Sequence, residues 1–266
     1  MKNTITLLSI LLLMFTSCSK DNENSQNQES TILPKKIIKI EGTNTYELIL
    51  SYNGNKILEE NNSLDNYKYV YTYTDDLITK KTLFKENVIT NIDEYTYDNG
   101  EVKSILTTRN STDKTTGIVT VHKSKTTYIN NADGTITEEN YFIDSATGLE
   151  INLPEDRILT YTNGNLVKEV RNRYFYNSIY KYTYLYEYDK NKNPYKNILG
   201  LNKISFNSDV SSLNNVIKTT TSTQSNKVYT TYETNYHTNS YLKESKYSYS
   251  DGNGGLESYI TQYFYE

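Results

Sequence analysis

The tyrosines of this chain fall on alternate residues, in rows that an extended strand gathers onto one face. Tyr67, Tyr69, Tyr71 and Tyr73 make one row, and Tyr180, Tyr182, Tyr184, Tyr186 and Tyr188 another. Tyr95 with Tyr97, Tyr247 with Tyr249, and Tyr263 with Tyr265 are shorter copies. A spacing of two is the strand period. The residues between them, such as Lys68, Val70 and Thr72, or Lys181, Thr183, Leu185 and Glu187, are mixed or wet. Each strand therefore has one aromatic face and one polar face. Tyrosine suits the first, because its ring packs across strands while its hydroxyl keeps a polar partner. The 28 tyrosines, 6 phenylalanines and absent tryptophan give the chain its aromatic content. High β-propensity and only three prolines exclude disorder for residues 35–266. Beyond Cys18 no stretch holds the 3.6-residue period long enough to predict a long helix.

Turn signals separate the rows. Tyr52-Asn53-Gly54, Tyr97-Asp98-Asn99-Gly100 and Tyr161-Thr162-Asn163-Gly164 carry the Asn-Gly pair that tolerates the positive φ of tight hairpins. The tyrosines that open the units, at 52, 73, 97, 128, 161 and 188, are spaced by 21, 24, 31, 33 and 27 residues. Each unit is one hairpin of chain. The predicted fold is an all-β antiparallel meander of roughly 12 to 16 strands, twisted and curled into an open sheet, with a last strand at Tyr259–Glu266.

Tyr95-Thr96-Tyr97-Asp98-Asn99-Gly100-Glu101-Val102 and Tyr186-Glu187-Tyr188-Asp189 resemble the Tyr-x-Tyr-Asp-x-x-Gly-x-Leu pattern of YD repeats, also called RHS-like repeats. The resemblance implies a small bacterial YD-repeat-like lipoprotein with a Tyr-rich β domain. The chain is too short for the toxin-enclosing cage of large RHS proteins.

The N-terminus reads as a targeting segment. Lys2 precedes the apolar run Leu7–Phe15, and the single cysteine, Cys18, follows Thr16 and Ser17. Phe15-Thr16-Ser17-Cys18 resembles the bacterial lipobox, which implies cleavage before Cys18 and lipidation of its thiol. The run is shorter than the roughly 20 apolar residues of a membrane span. Residues 1–17 are then a lipoprotein signal peptide, 18–34 a lipidated cysteine with a polar tether, and 35–266 the β-repeat domain. Acyl chains would hold the protein on a membrane. Ser19, in place of an Asp after the lipidated cysteine, predicts the bacterial outer membrane, and Ser19-Lys20-Asp21-Asn22-Glu23 resembles an export signal for the cell surface.

Chemistry is sparse. Net charge is −4, and loss of Lys2 with the leader leaves 27 basic against 32 acidic side chains, a poor nucleic-acid binder. His122 and His237 read as solvated strand histidines, with His122 facing away from Val119 and Val121. One cysteine and no His-x-x-His spacing predict no metal site and no cofactor. The acidic pairs Glu59-Glu60, Glu138-Glu139 and Glu155-Asp156 lie on neighbouring positions, which face opposite ways in a strand. No nucleophile elbow or phosphate loop is present. The expectation is a non-catalytic binding or scaffolding module for a glycan or an envelope protein, with Tyr180, Tyr182, Tyr184 and Tyr186 as the candidate binding face. The alternative is a hydrolase of envelope or extracellular polysaccharide.

Overall fold

The computed structural model describes residues 32–62, 64, 66–113, 115–175, 178–223, 226–250 and 256–265. Cys18 and the tether to residue 31 lie outside these. The strands run β1 (Pro34–Glu41), β2 (Asn44–Asn53), β3 (Lys56–Asn62), β4 (Tyr67–Thr74), β5 (Leu77–Lys85), β6 (Val88–Asp98), β7 (Glu101–Thr112) and β8 (Val119–Asn130). They continue as β9 (Thr135–Ile143), β10 (Glu150–Thr162), β11 (Asn165–Phe175), β12 (Ser178–Tyr188), β13 (Val216–Ser222), β14 (Lys227–Tyr236), β15 (Leu242–Ser250) and β16 (Leu256–Tyr265). Two short helices, α1 (Leu201–Ile204) and α2 (Ser208–Ser211), interrupt the series after β12.

Each strand pairs antiparallel with its sequence neighbours, as the meander predicts. The sheet is nevertheless not open. β1 pairs with β16, with Ile37 opposite Tyr263 and Lys39 opposite Thr261, so the sixteen strands among the described residues close into a barrel. Closure removes both sheet edges and with them the unpaired backbone groups that a curled sheet would leave. The YD/RHS reading is corrected by the same finding. The recurring tyrosines do not mark units of a repeat sheet; they mark alternate strands of one closed barrel.

Local chemistry explains the hairpins. Asn99 and Gly100 both take positive φ (50° and 78°), as do Asn163 and Gly164 (50° and 75°), the pairing that a two-residue turn matching the strand twist requires. Because the order is strictly up and down, turns alternate between two rims. The turns at Asn55, Gly100 and Gly164 share a rim with the connection from 189 to 215.

That connection folds into the barrel as a plug. A sixteen-strand barrel is wide enough to leave an aqueous channel; here Ile198, Leu201 and Ile204 of the plug pack against wall residues Ile37, Leu48, Leu50, Ile57, Ile78 and Val102. Its backbone is tied to the turns: Leu199 N donates to Asn55 O (2.9 Å) and Leu213 N to Gly164 O (3.2 Å). Lys203 Nζ donates to Gly100 O (2.6 Å) and lies 2.9 Å from Glu101 Oε1.

The inward faces of the strands are the tyrosine faces. Tyr67, Tyr69, Tyr71 and Tyr73 all join the core around the plug. At the plugged rim the last inward tyrosine of four even strands donates to the backbone where the preceding strand begins: Tyr52 to Pro34 O (2.7 Å), Tyr97 to Ile78 O (2.5 Å), Tyr188 to Leu166 O (2.6 Å) and Tyr265 to Leu242 O (2.6 Å). Tyr73 instead donates to Leu199 O of the plug (2.9 Å). These clasps give the repeated tyrosine its physical meaning.

Candidate functional site

The plug occupies one end of the lumen and leaves hollows between itself and the wall. One of them, with a charged lining, is bounded by Tyr128, Glu138, Arg157, Glu169, Arg171 and Tyr186 from the wall and Ile204–Asn207 from the plug, with a volume of about 400 Å³. Its charges alternate. Arg157 Nη2 lies 3.1 Å from Glu138 Oε2 and Arg157 Nε 3.8 Å from Glu169 Oε1, while Arg171 Nη2 lies 2.5 Å from the same Glu169 oxygen. Tyr186 Oη donates to Glu169 Oε2 (3.3 Å), and Arg157 Nη2 donates to Phe206 O of the plug (3.1 Å). Glu169 is only 4% exposed. A buried charge persists only when paired and hydrogen-bonded, and this network supplies both. Burial first, then the Glu169 charge, pushes the Tyr186 hydroxyl well above its ordinary value.

The candidate face Tyr180, Tyr182, Tyr184 and Tyr186 points to the lumen, in phase with Tyr188. The four do not form one surface. Tyr186 belongs to the charged hollow beside the plug, whereas Tyr180 and Tyr182 line a separate hollow of about 450 Å³ with Glu155, Arg173 and Tyr174. Arg171 sits over the Tyr184 ring (5.7 Å) and Arg173 over that of Tyr182 (5.9 Å), cation–π contacts that orient the guanidinium groups.

His122 faces away from Val119 and Val121, and pairs in register with Arg109, on the lumen side. His237 departs from expectation. It lies after β14, with its ring edge-on to Tyr265 (centroids 5.6 Å apart, 87°) and Nε2 buried without a hydrogen-bond partner, because the connection to β15 folds it under the plugged rim. The acidic pairs split as strand geometry demands: Glu138 meets Arg157 inside, while Glu139 accepts from Tyr141 outside (2.6 Å).

The outer wall carries charged pairs together with exposed apolar side chains. Lys68 and Glu59 (3.4 Å), Lys125 and Glu150 (2.8 Å), Lys218 and Glu187 (2.6 Å), Lys246 and Glu233 (3.8 Å), and Lys36 and Glu47 (4.0 Å) pair across its strands. Apolar residues such as Ile49, Val121 and Leu185 are scattered among them.

Sequence reasoning missed the plug and the residues it places: Asp209, Phe206 and Ser212. The available signal was the break in the two-residue period between Tyr188 and Val216.

Fold and plug together define a closed up-and-down β-barrel with an internal plug. A solved structure of a porin-like protein from Bacteroides uniformis is similar to it, with a TM-score of 0.50, 11% identity, and coverage of 88% of this chain and 98% of that chain. At that identity the likeness is one of fold. No family model matches the sequence, and no curated protein matches it.

Proposed function

We propose that this protein is an envelope binding module, held to the outer membrane by lipid on Cys18, whose barrel stands in solvent as a container rather than crossing the bilayer as a pore. The observation that carries this reading is the charged outer wall. A lipid-facing barrel presents an apolar band about 25 Å tall between aromatic girdles, and a lysine at the bilayer midplane costs about 2–4 kcal/mol. Here Lys–Glu pairs stand among the apolar residues of the outer wall, and aromatic and aliphatic side chains pack around the plug inside. The plug fills one end of the lumen, which leaves the opposite mouth to solutes. At the mouth, Tyr180 and Tyr182 combine ring surface with a charged donor, Arg173, and a charged acceptor, Glu155, the combination that suits a glycan.

A Cys18→Ala variant tests the anchoring. It should move to the soluble fraction without detergent, and the purified barrel should give no conductance in planar bilayers. A variant that stays membrane-embedded, or a barrel that forms channels, would overturn the reading. Thermal-shift screening with glycans, repeated with Tyr182→Ala, tests the mouth.

A further inference from the structure

We propose that the chamber between the plug and strands β14–β16 binds a small organic ammonium ion, held by the Asp209 carboxylate among tyrosine rings. The site differs from the one at the mouth and rests only on the barrel being a solvent-filled container.

The chamber has a volume of about 70 Å³ and is lined by Asp209 of α2 with Tyr232, Tyr247 and Tyr263 of the wall, and by the hydroxyls of Ser245 and Thr261. A single water needs only about 10–15 Å³, so several heavy atoms fit. Asp209 lines the chamber and its side chain keeps open surface, so the carboxylate is reachable from the lumen. Among the described residues no side chain or backbone group donates a hydrogen bond to its carboxylate. The one cation acting on it is Lys39, which also acts on Glu60 across the lumen. The surrounding wall raises the Asp209 carboxyl above its ordinary value, and Lys39 opposes the shift.

The surroundings select among ligands. An anion is repelled by Asp209. A calcium ion takes six to eight oxygen ligands, usually with several carboxylates, and this chamber contributes one carboxylate. A neutral sugar leaves the charge uncompensated. An alkylammonium or quaternary ammonium group answers both features: it pairs with the carboxylate, and its diffuse charge is attracted by the electron-rich faces of tyrosine rings. The Tyr232 and Tyr247 rings lie 5.1 Å apart at 54°, tilted rather than stacked flat, which leaves a concave aromatic corner beside Asp209.

Calorimetric titration of the full mature chain with choline and with its neutral isostere 3,3-dimethylbutan-1-ol tests the assignment. Choline should bind, the isostere should bind about tenfold more weakly or not at all, and Asp209→Asn should cost about tenfold in choline affinity. Tyr247→Phe should keep binding and Tyr232→Leu should weaken it; these two serve if Asp209→Asn fails to fold, as judged by circular dichroism. No choline binding, equal binding of the isostere, or full affinity in Asp209→Asn would overturn the proposal. Co-flotation of the unlipidated protein with phosphatidylcholine vesicles would overturn its assignment to a free solute. Because the protein is assayed without membranes, failure here leaves the wall and anchor tests untouched, and their failure leaves this result readable.

Discussion

Tyr128 of the barrel wall and Phe206 of the plug stack with ring centroids 4.0 Å apart and planes 17° from parallel. The contact fastens the plug at the short non-helical link between α1 and α2. Truncating a buried Phe to Ala costs about 3–5 kcal/mol, and Phe206 is half-buried, so Phe206→Ala should lose about 2 kcal/mol. Amide exchange should quicken in residues 201–212 before it quickens in the strands. Uniform acceleration through the barrel would show that plug and wall unfold as one unit.

Glu169 sits between Arg157 and Arg171 with almost no exposed surface. Removing one member of a buried ion network leaves the others uncompensated, which costs about 3–5 kcal/mol. Glu169→Gln keeps the shape and strands two guanidinium groups; Arg157 retains Glu138 and Arg171 is partly solvated, which puts the loss near the lower end, about 3 kcal/mol. Urea unfolding measures it. The double variant Glu169→Gln/Arg171→Gln should recover part of the loss, and additive losses would refute the coupling.

How much of this could be read from the sequence depends on whether the signal was local. The two-residue spacing of Tyr67–Tyr73 and Tyr180–Tyr188 is a property of single strands, and it gave the right face and the right strand type. Asn99-Gly100 and Asn163-Gly164 are local turn chemistry, and both made the predicted hairpins. Closure depends on Ile37 meeting Tyr263, two unexceptional strand residues at opposite ends of the domain; no neighbouring residue announces that pairing. The rim tyrosines suggested a repeat for a related reason. Tyr97 and Tyr188 recur because both donate to a backbone carbonyl of the preceding strand at the plugged rim, and a shared role at similar spacing resembles a motif. Asp209 was invisible because its meaning comes from the wall around it.

Burial also sets the alkaline limit of the fold. It pushes the hydroxyls of Tyr73, Tyr97 and Tyr247 up to about 12, and those of Tyr71, Tyr95 and Tyr128 higher still. In the unfolded chain the same groups ionise near pH 10. Below pH 10 both states hold their protons and stability is unaffected. Above it the unfolded chain sheds protons that the barrel retains, so the unfolded state gains and stability falls as pH rises through 10 toward 12 and beyond. Tyrosinate absorbance should therefore rise in two stages, the second coinciding with loss of circular dichroism. A single titration near pH 10 with the fold intact would refute this.

Gly54 and Gly164 separate backbone strain from packing at the plugged rim. Both have positive φ, +60° and +75°, so alanine at either incurs the left-handed penalty of about 1 kcal/mol. A Cβ at Gly54 meets nothing within 4 Å, whereas one at Gly164 falls 2.5 Å from Leu213 Cδ1 and 2.8 Å from its Cγ. Leu213 is the plug residue whose N–H donates to Gly164 O (3.2 Å), which fixes its backbone beside the turn, so its side chain must change rotamer to admit the Cβ. Gly164→Ala should accordingly lose about 1 kcal/mol more than Gly54→Ala in thermal unfolding. In the double variant Gly164→Ala/Leu213→Ala the clash is gone, and the cost should return to that of Gly54→Ala. If Gly164→Ala matches Gly54→Ala alone, Leu213 does not hold the plug to this turn.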